Sequence, residues 1–201
     1  MKSLFTTSFV ILLTLVYANA QNDKGDFAVA PFIGLNLATF VTDADATFNI
    51  RPAFTAGATG DYYFNNRWSV RTGIIYNPMG AEDDFNNSDK LNYLTIPINA
   101  NWHFGRNRGW YLNFGPAVSF LLSAESDLSD GTTVDIQDSI RSTDFALTLG
   151  IGHQFTLNSS TKLFVDYQGY GGFLDIVEIA NFGQSLRNSR SSFNIGLVFT
   201  P

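Results

Sequence analysis

From Phe27 to Phe199 the chain repeats one pattern, in which a bulky apolar residue alternates with a small or polar one. Phe27, Val29, Ile33 and Leu35 open the series. Val70, Ile74 and Tyr76 continue it, followed by Leu94, Ile96, Ile98, Trp102 and Phe104. Leu112, Phe114, Val118 and Phe120 form the next set, then Leu147, Leu149 and Ile151, then Leu163, Val165 and Tyr167, and finally Phe193, Ile195, Leu197 and Phe199. A period of two places successive side chains on opposite faces of a strand, so each segment has one apolar face and one small or polar face. The segment from about Pro52 to Phe64 reads as a strand with small residues on both faces. The pattern predicts eight strands.

The connections between strands narrow the architecture. Three are tight, at Asn65-Asn66, Gly105-Arg106-Asn107-Arg108 and Asn158-Ser159-Ser160. Four are long and acidic, at about 41–50, 78–90, 124–139 and 171–188. Long and short strictly alternate, which is the rhythm of an up-and-down barrel crossing an outer membrane, with short turns on the periplasmic side and longer loops outside. A soluble lipocalin-like barrel shares the topology, but its outward face is charged. Here the bulky apolar face is opposed by Gly, Ala, Ser, Asn and Asp, which suit the narrow interior of an eight-stranded barrel. The expected fold is therefore all-β: an eight-stranded antiparallel up-and-down transmembrane β-barrel whose apolar face meets lipid.

Composition agrees and excludes other classes. Only 15 % of residues are charged, against about a quarter in ordinary soluble domains. With no cysteine and two histidines, thiolate sites, disulfides and multi-histidine zinc centres are excluded. A net charge of −6 argues against nucleic acid as a partner. No cofactor and no metal is expected. Lys2, the apolar run Leu4–Val16 and Ala18-Asn19-Ala20 read as a cleaved signal peptide over residues 1–20, with the barrel domain over 21–201.

Aromatics cluster beside the short turns. Tyr62, Phe64 and Trp68 flank the first, Trp102, Phe104, Trp110 and Tyr111 the second, and Phe155 precedes the third. They are expected to form the girdle at the membrane interface. On the opposite face, Arg71, Asp61, Asp144 and Asp166 point inward together with Tyr93, Asn99, Asn101, Asn113 and Gln168. Arg71 is expected to join at least one inward carboxylate, because an unpaired buried charge is costly. A closed network in so narrow a barrel would make the protein a plug, not a pore.

Several segments carry a family resemblance: Gly34, Arg67-Trp68-Ser69-Val70-Arg71-Thr72-Gly73-Ile74-Ile75-Tyr76, Asn92-Tyr93-Leu94-Thr95-Ile96-Pro97-Ile98, Leu149-Gly150-Ile151-Gly152-His153-Gln154-Phe155 and Phe193–Phe199. With these the chain resembles the small outer-membrane barrels of the OmpX/OmpA-like kind, and in detail the PorT-like barrels of the Bacteroidetes. The resemblance implies a location and a fold but transfers no catalytic motif. The implied partners are outer-membrane lipid and lipopolysaccharide, the barrel-assembly machinery, and an extracellular partner met through the loops.

Three functions remain open on the sequence: a structural or surface-interaction barrel displaying four acidic loops, a narrow channel or transport accessory, and a lipid-modifying hydrolase. Against the last, His103 and His153 both fall at short-turn ends and read as interfacial residues. The acidic loops lack the spacing of a calcium-binding loop and read as solvated surface, able at most to bridge lipopolysaccharide weakly through divalent cations.

Overall fold

The structure is a computed structural model that describes residues 24–43, 46–177 and 185–200. The segment read as a signal peptide lies outside the described residues. Nine strands follow in order: β1 (Phe27–Thr42), β2 (Arg51–Asn65), β3 (Trp68–Glu82), β4 (Ser88–Phe104), β5 (Trp110–Asp127), a short β6 (Thr133–Asp135), β7 (Thr143–Thr156), β8 (Thr161–Gly172) and β9 (Leu186–Phe199). Eight of them close a ring in which every pairing is antiparallel and β9 returns to β1. β6 is a short outgrowth paired only with the end of β5.

Register sets the shape of the ring. Paired residues run from Phe27 through Tyr62, Val70, Ala100, Phe114, Leu149, Gly169 and Ser191, and return to β1 at Leu37, ten residues beyond the start. That stagger tilts the strands and fixes the bore of the barrel. No lateral edge remains, so the backbone hydrogen-bonding groups of the wall are satisfied within the sheet, as passage through lipid requires.

The wall is apolar on its outside. Ile33, Phe54, Ile74, Ile98, Leu147, Leu149, Phe193 and Ile195 are all exposed there, Phe54 by 83 %. So continuous a bulky apolar surface belongs in hydrocarbon. At its short-turn edge lie Tyr62, Phe64, Trp68, Trp102, Phe104, Trp110 and Phe155, with Trp68 and Trp102 stacked 6.2 Å apart and Trp102 and Phe104 4.8 Å apart. His153 joins this belt, its ring 4.8 Å from Trp110 and 4.4 Å from Phe155.

Tyr111 does not belong to the belt. It is fully buried inside the barrel, because it follows Trp110 directly and adjacent residues of a strand face opposite ways. His103 is likewise inside, only 2 % exposed, and not at the lipid interface.

The short turns are built by local side-chain bonds. Asn65 Oδ1 accepts from the backbone N–H groups of Arg67 and Trp68 at 2.8 and 3.1 Å, and Asn158 Oδ1 accepts from that of Ser160 at 3.0 Å. At the opposite end, two of the four expected long loops are partly ordered as strand. β3 and β4 continue as a hairpin as far as Glu82 and Ser88, leaving only a turn where 78–90 reads as loop. Asp83 closes that turn by accepting from the backbone N–H groups of Phe85 and Asn87, both at 2.8 Å. Within 124–139, β5 and β6 pair and a single 3-10 turn follows at Gln137–Ser139.

Candidate functional site: the barrel interior

The interior is filled in three tiers. Nearest the short turns, Ala28, Ala30, Tyr63, Tyr111, Phe164 and Val198 pack together with Phe32. His103 lies between two tyrosines, its ring 5.2 Å from that of Tyr63 and 6.1 Å from that of Tyr111. At the loop end, Phe40, Met79, Leu91, Tyr93, Ile140, Tyr170 and Ile176 form a second apolar cluster under the loops. Polar side chains occupy the space between.

The polar tier centres on Arg71. Its Nε donates to Asp61 Oδ2 at 3.0 Å, and its Nη1 lies 4.0 Å from Asp166 Oδ2. Asp61 Oδ1 also accepts from Ser69 Oγ and from Asn101 Nδ2, each at 2.8 Å. Asp166 accepts from the Tyr111 hydroxyl, Gln168 Nε2 and Asn194 Nδ2, each at 2.8 Å. Asn99 donates to Asn113 Oδ1 at 2.9 Å and accepts from Thr148 Oγ1 at 2.9 Å. Inward-facing positions on β2, β3, β4, β5, β8 and β9 thus share the network around Arg71, and a separate set joins Asn99, Asn113 and Thr148 across β4, β5 and β7.

Asp144 is inside but belongs to a different group. It accepts from the Tyr170 hydroxyl at 3.1 Å and from Asn188 Nδ2 at 2.9 Å, beneath the loop-end cluster. Arg71 therefore pairs with Asp61 and Asp166 and not with Asp144, which sits at a higher level of the strand stagger. Tyr93 lies in that upper group too, and its hydroxyl accepts from Asn188 Nδ2 at 3.4 Å.

Sequence reasoning passes over Arg190, Asn36, Asn77 and Asn188, all buried. Asn36 Nδ2 donates to Asn77 Oδ1 at 2.8 Å, and Asn77 Nδ2 donates to Thr95 Oγ1 at 3.0 Å. Asn36 alternates with Leu35 and Leu37, a signal that could have placed it inside. Arg190 and Asn188 lie in a run of polar residues with no apolar alternation to mark a face.

Ser69, His103 and Asp61 bring the three residue types of a hydrolytic triad together, but with the wrong connectivity. Ser69 Oγ donates to Asp61 at 2.8 Å and lies 3.3 Å from His103 Nε2, which also lies 3.2 Å from Asn101 Nδ2. The carboxylate bonds the serine and not the histidine, and the whole set is buried beneath Tyr63 and Tyr111. Among the described residues no group of three metal-ligating side chains comes together.

The loop end is held by its own contacts. Lys90 pairs with Asp127, and Arg187 with Asp43 at 2.9 Å. The backbone N–H of Ser129 donates to Asn87 Oδ1 at 2.9 Å, tying the β5–β6 hairpin to the β3–β4 turn. Hydrogen bonds from Asn87 hold the Asp83 carboxyl below its ordinary range, those from Lys90 and Thr133 do so for Asp127, and those from Thr132 for Asp130.

Comparison with known proteins fits this geometry. OprG of Pseudomonas aeruginosa, an outer membrane protein, superposes with a TM-score of 0.57 at 13 % identity, over 91 % of this chain and 99 % of that one. Neisserial surface protein A superposes with a TM-score of 0.53 at 15 % identity, over 86 % of this chain and 96 % of that one. No curated protein sequence matches the chain. The family model described as outer membrane protein beta-barrel domain matches residues 19–178. A closed ring of eight tilted strands, an apolar outer wall and that match together make the chain a member of the outer-membrane protein β-barrel domain family, resident in the outer membrane.

Proposed function

We propose that this protein is a closed, non-enzymatic outer-membrane barrel with a structural or surface-interaction role exercised through its acidic loop end. The observation that carries the reading is the interior: two apolar tiers bracket a layer in which Arg71, Asp61 and Asp166 are hydrogen-bonded. A lumen so occupied leaves little for a permeating solute, which counts against the channel reading. The buried, misconnected Ser69–His103–Asp61 set counts against hydrolysis. Loops braced by ion pairs and by the Ser129–Asn87 bond favour a shaped surface over a flexible fringe.

In the finer reading the chain is a PorT-like barrel of the Bacteroidetes, exported with a cleaved signal peptide and inserted by the barrel-assembly machinery. It is surrounded by phospholipid and lipopolysaccharide and displays its acidic loops to an extracellular partner. The test is complementation of a deletion strain with a variant whose residues 128–140 are replaced by a short turn. Normal insertion with loss of the surface phenotype supports the reading. Full complementation by the trimmed barrel, or an altered lipid A profile in the deletion strain, overturns it.

A further inference from the structure

The barrel buries two guanidinium groups in its middle tier and treats them differently. Arg71 has Asp61 at 3.0 Å and Asp166 at 4.0 Å. Arg190, 7 % exposed, has no carboxylate oxygen within 4.0 Å among the described residues. Its Nη1 donates to Ser192 Oγ, its guanidinium carbon lies 5.7 Å from the centre of the Tyr170 ring, and its Nε has no acceptor. Of the inward carboxylates, Asp166 is already engaged, and Asp144 is held through Oδ2 with its Oδ1 left without a donor. Asp166 accepts from Tyr111, Gln168 and Asn194, while Asp144 bonds the hydroxyl of Tyr170, the same tyrosine whose ring Arg190 meets.

A buried cation with an idle N–H is costly unless a counter-charge sits beside it. Arg190 lines an internal cavity of about 50 Å³, several times the roughly 10–15 Å³ that a single water needs. Asn113 lines the same cavity, and its buried Nδ2 also has no acceptor. Arg71 and Asp166 line the cavity too, but Asp166 already accepts from three donors and lies 4.0 Å from Arg71, so the idle donors around Arg190 call for an anion small enough to fit. Asn194 Oδ1, the acceptor left over on this cavity, suits an accompanying water.

We infer that the middle of the barrel holds a small monovalent anion of the halide class, chloride in the cell, bound against Arg190.

The experiment is refolding of the protein from urea into detergent micelles at one ionic strength, with chloride, bromide or gluconate as the anion. The melting temperature is then read from the loss of heat-modifiable gel mobility. The wild type should melt higher in chloride and bromide than in gluconate, by about 5 °C at saturation. Arg190→Gln should lose that difference and in gluconate should match or exceed the wild type, since it no longer buries a lone charge. A wild type indifferent to the anion, or an Arg190→Gln variant that keeps the full chloride effect, overturns the site. Should Arg190→Gln fail to refold, anomalous diffraction from wild-type crystals grown in bromide decides the matter: a peak beside Arg190 supports the inference, and its absence from an otherwise ordered lumen overturns it.

Discussion

The guanidinium of Arg71 lies 4.6 Å from the centre of the Tyr111 ring, while the hydroxyl of that tyrosine donates to Asp166. One aromatic residue thus supports the cation with its face and holds a carboxylate with its edge. Removing Arg71 removes the counter-charge of Asp61. Arg71→Ala is expected to lose about 3–5 kcal/mol, and Arg71→Met combined with Asp61→Asn to recover much of it, because breaking a buried pair costs more than replacing it. Urea titrations of folding into lipid vesicles measure both, and an Arg71→Ala variant as stable as the parent refutes the arrangement.

Tyr111→Phe keeps the ring and deletes the hydroxyl bond to Asp166. The expected loss is about 1–3 kcal/mol, since a buried acceptor loses a donor. The same titration reads it. Tyr111→Leu should cost more, because the contact with Arg71 disappears as well.

Glycines along β7 and β8 are expected to differ sharply. A Cβ on Gly152 would sit 2.5 Å from the Tyr111 hydroxyl oxygen and 2.6 Å from Asp166 Cβ, whereas one on Gly171 would meet nothing within 4 Å. Gly152→Ala should destabilise by about 1–3 kcal/mol through overpacking, and Gly171→Ala should be close to neutral. Equal effects in vesicle-refolding titrations would show that the Tyr111–Asp166 contact does not limit the bore.

The wild type should give negligible steady conductance in planar bilayers. Arg71→Ala should remain closed as well, since Tyr63, Tyr111 and Phe164 still fill the short-turn end. Large stable currents from either protein contradict the tiered interior.

The β3–β4 turn should loosen in acid. Bonds from the Asn87 side chain and from backbone N–H groups hold the Asp83 carboxyl below its unfolded value. Its contribution is therefore complete above about pH 5, where the unfolded group (pKa near 3.9) is also ionised, and is lost as pH falls through the unfolded and then the lower native value. Amide chemical shifts of Phe85 and Asn87, followed against pH, report the transition. Asp83→Asn should show a weakened turn already at neutral pH and no acid transition of this kind.

Alternation made the wall legible and also the inward set, because a membrane barrel enforces period two wherever lipid touches it. The rule fails where lipid stops. Beyond the apolar band β3, β4 and β5 continue as strand, but Gly80, Glu82 and Asp89 carry no apolar signal there, and the region reads as loop. β9 begins at Leu186 for the same reason, with Ser189 and Ser191 on its outer side, so Arg190 is hidden in a stretch read partly as loop. Tyr111 was obscured by proximity to Trp110 along the chain, although neighbours on a strand occupy opposite faces. The assignment of Asp144 to a separate group depends on stagger between strands, which a single sequence does not encode.

The seam between β1 and β9 joins residues some one hundred and fifty positions apart, with Ile33 opposite Ile195 and Thr42 opposite Leu186. A contact this distant in the chain is slow to form and gives no reward until the intervening hairpins are in place. Until then the sheet exposes two raw margins able to pair with another molecule. The risk of misassembly is therefore concentrated in the interval between synthesis of the first strand and capture of the last, and a chaperone or insertion catalyst would serve this protein best by shielding those two margins until they meet.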